Sequence, residues 1–185
     1  MGTPKLQAPI HGSYHNSGNF SLTRATDARH VHGHQGVDLR AAGGTVVYPM
    51  ASGRVSNVGT DPKGGNVVFI DYGGGLRSYY AHLGTVSVQK GDVVDVNTPV
   101  ATISNSGNAK FTAPHLHLGI SIGGSWVDPA RFIPVPPYSD IGRDEILWLP
   151  EAKERAARFD MQQHLQQRAV ASLALQCERF LKLCG

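Results

Sequence analysis

Cysteine is nearly missing from this chain: Cys177 and Cys184 are the two present in 185 residues. No disulfide framework can therefore hold the fold. On one helix these two backbones would stand roughly 10 Å apart, beyond the about 7 Å that a disulfide spans, so both are read as free, buried thiols. Long apolar runs are missing too. None reaches the ~18 residues that a helical membrane span needs, and Met1-Gly2-Thr3-Pro4-Lys5 lacks the apolar core of a secretory signal. The expectation is that the leader lies outside this sequence or that export follows another route. Charge of one sign is slight, with a net value of +3. Such an excess favours an anionic partner, whether cell wall, nucleic acid or an acidic membrane surface, without choosing among them. Internal repeats are absent, and no helical period comparable in strength to the β pattern precedes residue 140.

Glycine, by contrast, is plentiful at 22 of 185 residues, above the usual share of about 7%. Many turns are expected. Residues 1–33 read as loop with one short strand near Ser21-Leu22-Thr23, and their histidines His11, His15, His30 and His32 as solvent-exposed. From Gly36 to Ile122 short β-branched runs alternate with turn residues. Thr45–Tyr48, Gly53–Val58, Asn66–Tyr72, Leu76–His82, Val86–Val88, Val93–Val96 and Pro99–Ile103 are predicted strands, separated by Gly, Asn and Asp. That spacing predicts an antiparallel sheet protein, a sandwich or barrel. Pro134, Pro136 and Pro137 make a stiff connector that ends the sheet region.

Beyond the connector the composition shifts. Pro150 suits a helix start, and Glu151 and Glu154 suit its positive end. Met161, Leu165, Ala169, Leu173, Cys177, Phe180 and Cys184 recur at intervals of three and four as one apolar stripe. One helix, or two with a break, is predicted to pack on the sheet domain or on a partner. His164 lies off the stripe and is read as solvated.

Two stretches carry ligand chemistry. In His115-Leu116-His117 the histidines would leave the same face of a strand, because successive side chains alternate. His34 and Asp38 would do so from an extended segment, with Gly36 between them leaving room for a close neighbour. Two imidazoles and a carboxylate form a three-ligand zinc site whose fourth position stays open for water, the arrangement of a catalytic metal. Tyr80-Ala81-His82-Leu83 adds a further histidine at a strand end. Asp71, Asp92, Asp95 and Asp128 are read as turn or surface carboxylates.

Several pieces in this order resemble the LytM/lysostaphin-type zinc endopeptidases: Gly36-Val37-Asp38-Leu39, Gly44-Thr45-Val46-Val47-Tyr48, Tyr80-Ala81-His82-Leu83, Val88-Gln89-Lys90-Gly91-Asp92 and Pro114-His115-Leu116-His117-Leu118. The resemblance runs from about residue 30 to about residue 130 of the sequence. It implies a mainly β fold, a small antiparallel β-sheet or sandwich domain over residues 1–138. Residues 139–185 then form a C-terminal α-helical extension outside the family pattern.

By that resemblance His34, Asp38 and His117 hold one zinc, and His82 and His115 are the catalytic pair. His32 keeps the strand parity of His34, but the His-x-x-x-Asp spacing selects His34. The implied activity is hydrolysis of peptide bonds in peptidoglycan stem peptides or cross-links, in the periplasm or the extracellular wall. No nucleic-acid partner and no membrane span are expected. Delivery as an injected antibacterial toxin would further imply a cognate immunity protein.

Phe111-Thr112-Ala113 departs from the small residues usual before Pro-His-Leu-His, which reshapes that wall of the site. The competing reading is a domain without catalysis that binds wall or activates an amidase. Its expected signature, missing ligands, is not met here. A D-Ala carboxypeptidase would require Glu-x-x-His, which does not occur.

Overall fold

The β-branched runs between Gly36 and Ile122 fold as the alternation demands, into strands that pair antiparallel. A computed structural model describes residues 6–21 and 33–136. Its strands are β1 (His15–Gly18), β2 (Val37–Arg40), β3 (Val46–Val47), β4 (Gly53–Asp61), β5 (Gly65–Asp71), β6 (Leu76–Val86), β7 (Val93–Val94), β8 (Ala101–Ile103), β9 (His115–Ile122) and β10 (Ser125–Val127). They run in the order β1-β2-β9-β6-β5-β4-β7, with β10 on β9 and β3 joined through β8 to β6. The chain is thus mainly β, as the turn-rich composition predicted. Among the described residues no helix is long and apolar enough to cross a membrane.

Alternation decides which face of this sheet is buried. Leu116, Leu118 and Ile120 of β9 are wholly buried, as are Leu39 of β2 and Tyr80 of β6. Each such aliphatic side chain contributes about 1.5–3 kcal/mol by leaving water. The intervening residues His115, His117 and Gly119 then face the other way, alongside Asp38 and Arg40 of β2. Leu39 pairs with Leu116 and Asp38 with His117. A slip of one residue would bury Asp38 and expose Leu39, so the core itself holds the site in register.

At its far end β6 changes partner. It pairs with β9 as far as Ala81↔His117 and then with β8 from Leu83↔Ile103. The corner falls at His82, whose φ is 61°; it is the one non-glycine with positive φ among the described residues.

One expectation needs correction, and another falls partly outside the described residues. Of the strand expected near Ser21-Leu22-Thr23, Ser21 makes a bridge with His34 while Leu22 and Thr23 lie outside the described residues, and His15–Gly18 forms a strand that was not expected. The polar residues of β1 carry no apolar period, and pairing with β2 is what makes them a strand. Val86-Ser87-Val88 is not a separate strand: Val86 ends β6, and Ser87 donates its N–H to the Val100 carbonyl outside any strand. Gly107–Phe111 winds into a 3₁₀ helix. The helical reading of residues 139–185, with Cys177, Cys184 and His164, lies outside the described residues, as do His30 and His32.

Candidate active site

Asp38 and His117 leave one face of the sheet from neighbouring strands. His34 reaches them from the segment before β2. That segment is not continuous strand: a bend at Gln35 and Gly36 separates the His34–Ser21 bridge from β2. Gly36 permits the turn to lie against β9. A Cβ there would stand 2.8 Å from the His117 ring and against the Leu118 carbonyl, so the close neighbour expected beside Gly36 is His117.

The donor atoms converge tightly. His34 Nε2 lies 3.0 Å from Asp38 Oδ1 and 3.0 Å from His117 Nδ1, and His117 Nδ1 lies 3.0 Å from the same carboxylate oxygen. These are the residues grouped around a point where one metal ion would be shared. His34 donates its Nδ1–H to the Asn19 carbonyl, 2.8 Å away, so its neutral ring presents only a lone pair to Asp38. A carboxylate oxygen and two imidazole nitrogens at this range share either protons or one metal ion that all three could hold. The donor set and spacing fit zinc, whose ligands stand roughly 2.0–2.2 Å from the ion. Burial alone would raise the Asp38 pKa, but His117 and then His34, which donate to the carboxylate when protonated, outweigh it and hold the carboxyl well below its usual range.

His82 and His115 stand beside this triad. Their ring centroids are 4.7 Å apart, and His82 is 6.1 Å from the His117 ring. Tyr80 and Leu83 both point into the core, so strict alternation could not bring His82 here; the positive φ at the β6 corner does. Such a backbone costs about 1–3 kcal/mol, and it is characteristic of functional positions. Each histidine donates Nδ1–H to a backbone carbonyl, His82 to Ser106 and His115 to Ala113, both at 2.9 Å. Both rings therefore keep Nε2 unprotonated when neutral. Burial, and then the neighbouring His115, lower the His82 pKa to about 4.

All five sequence-predicted residues thus lie in one cluster. The sequence reading missed the carbonyls of Asn19, Ser106 and Ala113, which orient three of them. It also missed Tyr79, whose ring lies 5.8 Å from that of His117 and packs on Phe69 and Trp126. The period of β6 contained that signal, since Tyr79 shares a face with Ala81. Among the other histidines, His11 stacks on Tyr48 at 4.0 Å and His15 opens β1. Asp71, Asp92, Asp95 and Asp128 accept turn amide hydrogen bonds, as expected.

A sequence model of peptidase family M23 matches residues 32–129, a span that holds all five of these positions. This chain belongs to peptidase family M23. It is similar to the peptidoglycan DD-endopeptidase ShyA of Vibrio cholerae, at 29% identity over 139 residues, 75% of this chain and 32% of that protein. It is similar also to the murein hydrolase activator NlpD of Escherichia coli, at 30% identity over 103 residues, 55% of this chain and 26% of that one. The chain spans no more than a third of either relative's length. Among solved structures, the catalytic domain of the antimicrobial peptidase lysostaphin from Staphylococcus simulans superposes with a TM-score of 0.57 at 26% identity. That match covers 64% of this chain and 91% of lysostaphin's domain.

Proposed function

We propose that this M23 chain is a zinc-dependent endopeptidase that hydrolyses peptide bonds in peptidoglycan stem peptides or cross-links. The observation that carries the reading is the meeting of three metal-ligating atoms, 3.0 Å apart, with two further histidines whose tautomers are set. Zinc bound by His34, Asp38 and His117 would supply a bound water of lowered pKa and a Lewis acid for the scissile carbonyl.

The chain's own groups supply the rest. At neutral pH His82 is uncharged, the form a base needs, because burial and then His115 lower its pKa to about 4. The unprotonated Nε2 of His82 takes the proton of the attacking water and passes it to the leaving amine nitrogen. His115, in a form that carries a proton at Nε2 as well as Nδ1, would hydrogen-bond the developing oxyanion. Backbone carbonyls hold both Nδ1–H groups, so proton exchange occurs at Nε2 alone. The modest positive charge suits a wall substrate, and the site of action is the periplasm or the extracellular wall.

The similarity to NlpD favours a second reading, a domain that binds wall or activates an amidase without cutting. One experiment separates the two. Purified sacculi are incubated with the chain, and released fragments are analysed by mass spectrometry, with His115→Ala and a chelator as controls. New amino termini within stem peptides or cross-links support the endopeptidase and name the bond. Release from no wall type favours the non-catalytic reading.

A further inference from the structure

The metal triad and the catalytic pair leave unexplained why His82 can sit in a left-handed backbone conformation and still aim one nitrogen reliably. We infer that Ser106 is the positioning residue for His82: its carbonyl sets the tautomer, and its hydroxyl locks the carbonyl in place. This rests on the reading of His82 as a proton carrier.

The bonds around Ser106 form a closed clasp. His82 donates its backbone N–H to the Gly64 carbonyl at 2.7 Å, and its own carbonyl accepts from Ser104 N–H at 3.0 Å. The ring then donates Nδ1–H to the Ser106 carbonyl. The Ser106 hydroxyl donates to the Leu83 carbonyl at 2.8 Å and accepts from the Asn66 N–H at 3.1 Å. Ser106 is therefore tied to the residue after His82 and to the strand beside it.

Two left-handed glycines make the clasp close enough to work. Gly65 has φ 65° and Gly107 φ 70°. A Cβ on Gly65 would collide with the Ser106 hydroxyl and the Gly107 amide, and one on Gly107 with the Gly65 amide and the Lys63 carbonyl. The turn between β4 and β5 thus lies backbone to backbone on the loop that carries Ser106. Asn108 N–H to Lys63 carbonyl, at 2.9 Å, pins the contact.

His115 is served differently. Its acceptor, Ala113, is two residues away in its own lead-in, whereas Ser106 is 24 residues from His82. A local acceptor follows its histidine through small motions of the backbone; a distant one must be held. A backbone carbonyl also does not ionise, so it keeps one tautomer at every pH at which the ring is neutral. Without the hydroxyl, the loop relaxes and the ring samples the Nε2–H tautomer, with no lone pair toward the substrate. None of these bonds involves His34, Asp38 or His117, so zinc affinity should not follow.

The test uses the full chain labelled with ¹⁵N, and long-range proton–nitrogen NMR of the His82 ring in the metal-free protein. Kinetics with added zinc on a soluble cross-linked wall peptide accompany it. Wild type is expected to show Nδ1–H alone. Ser106→Ala is expected to show both tautomers, with kcat lowered about 10- to 100-fold, KM unchanged and zinc affinity unchanged. Asn66→Ala is the control for general loosening. It removes side-chain bonds to the Leu83 and Gly84 carbonyls but keeps the backbone N–H that Ser106 accepts, so the tautomer should not change. An Nε2–H proton on wild-type His82 overturns the inference, and so does Ser106→Ala with tautomer and kcat unaltered. Should wild type cleave no wall peptide, the proposed activity fails while the NMR result still judges Ser106.

Discussion

Asp38 and His117 stand directly opposite each other across the β2–β9 ladder, with carboxylate oxygen and imidazole Nδ1 3.0 Å apart. The same register buries Leu39 against Leu116, so the hydrophobic core and the ligand set cannot be shifted separately.

Replacing the charge at this pair should separate metal binding from folding. In Asp38→Asn the carboxylate that His117 and then His34 hold below its usual pKa range is lost, so the metal-free protein should unfold at the wild-type temperature or below it. Zinc at about a thousand times its Kd should stabilise wild type by about 4 kcal/mol and leave the variant unmoved. Thermal denaturation with and without zinc checks both statements.

The histidines beside the triad should behave in the opposite way. His82→Asn and His115→Ala should bind zinc with wild-type stoichiometry, measured by calorimetry, yet lose about 10²–10⁴-fold in kcat. Asparagine is chosen at position 82 because it tolerates the left-handed backbone there. Loss of zinc from either variant would move that histidine into the ligand set.

Gly36 is expected to matter without touching substrate. In Gly36→Ala the new methyl meets the His117 ring at 2.8 Å and presses on the Leu118 carbonyl. Overpacking of this kind costs about 1–3 kcal/mol, and turning the ring away weakens zinc as well. Urea unfolding and a zinc titration should both register the change, whereas Gly74→Ala, in an open turn, should leave zinc alone.

Acid should destabilise the metal-free protein through His82. Burial, and then the His115 imidazole, lower its pKa in the folded chain from 6.5 to about 4. Between those values the unfolded chain binds a proton that the folded chain refuses, so stability is full above 6.5 and falls as pH drops toward 4. Urea midpoints taken in chelator from pH 7 down to pH 4.5 should decline, and His82→Asn should flatten the slope across that window.

Much of this was readable in the sequence. The β-branched runs between turn residues foretold an antiparallel sheet, because side-chain alternation is a local property of any strand. His-x-His with a separate His-x-x-x-Asp announced the donor types, and Gly36 announced a close approach. The N-terminal strand went unread because β1 is polar and owes its conformation to β2 alone.

Only the tertiary structure decided how the pieces meet. The amino-acid order determined which chemical groups exist and which face of its strand each one takes, since those follow from residue type and period. It did not determine the corner at His82, because a left-handed φ there depends on β6 exchanging β9 for β8. Nor did it disclose the carbonyls of Asn19, Ser106 and Ala113. Every residue carries that group, so its use leaves no mark in the sequence and becomes specific only when folding brings one imidazole to one oxygen.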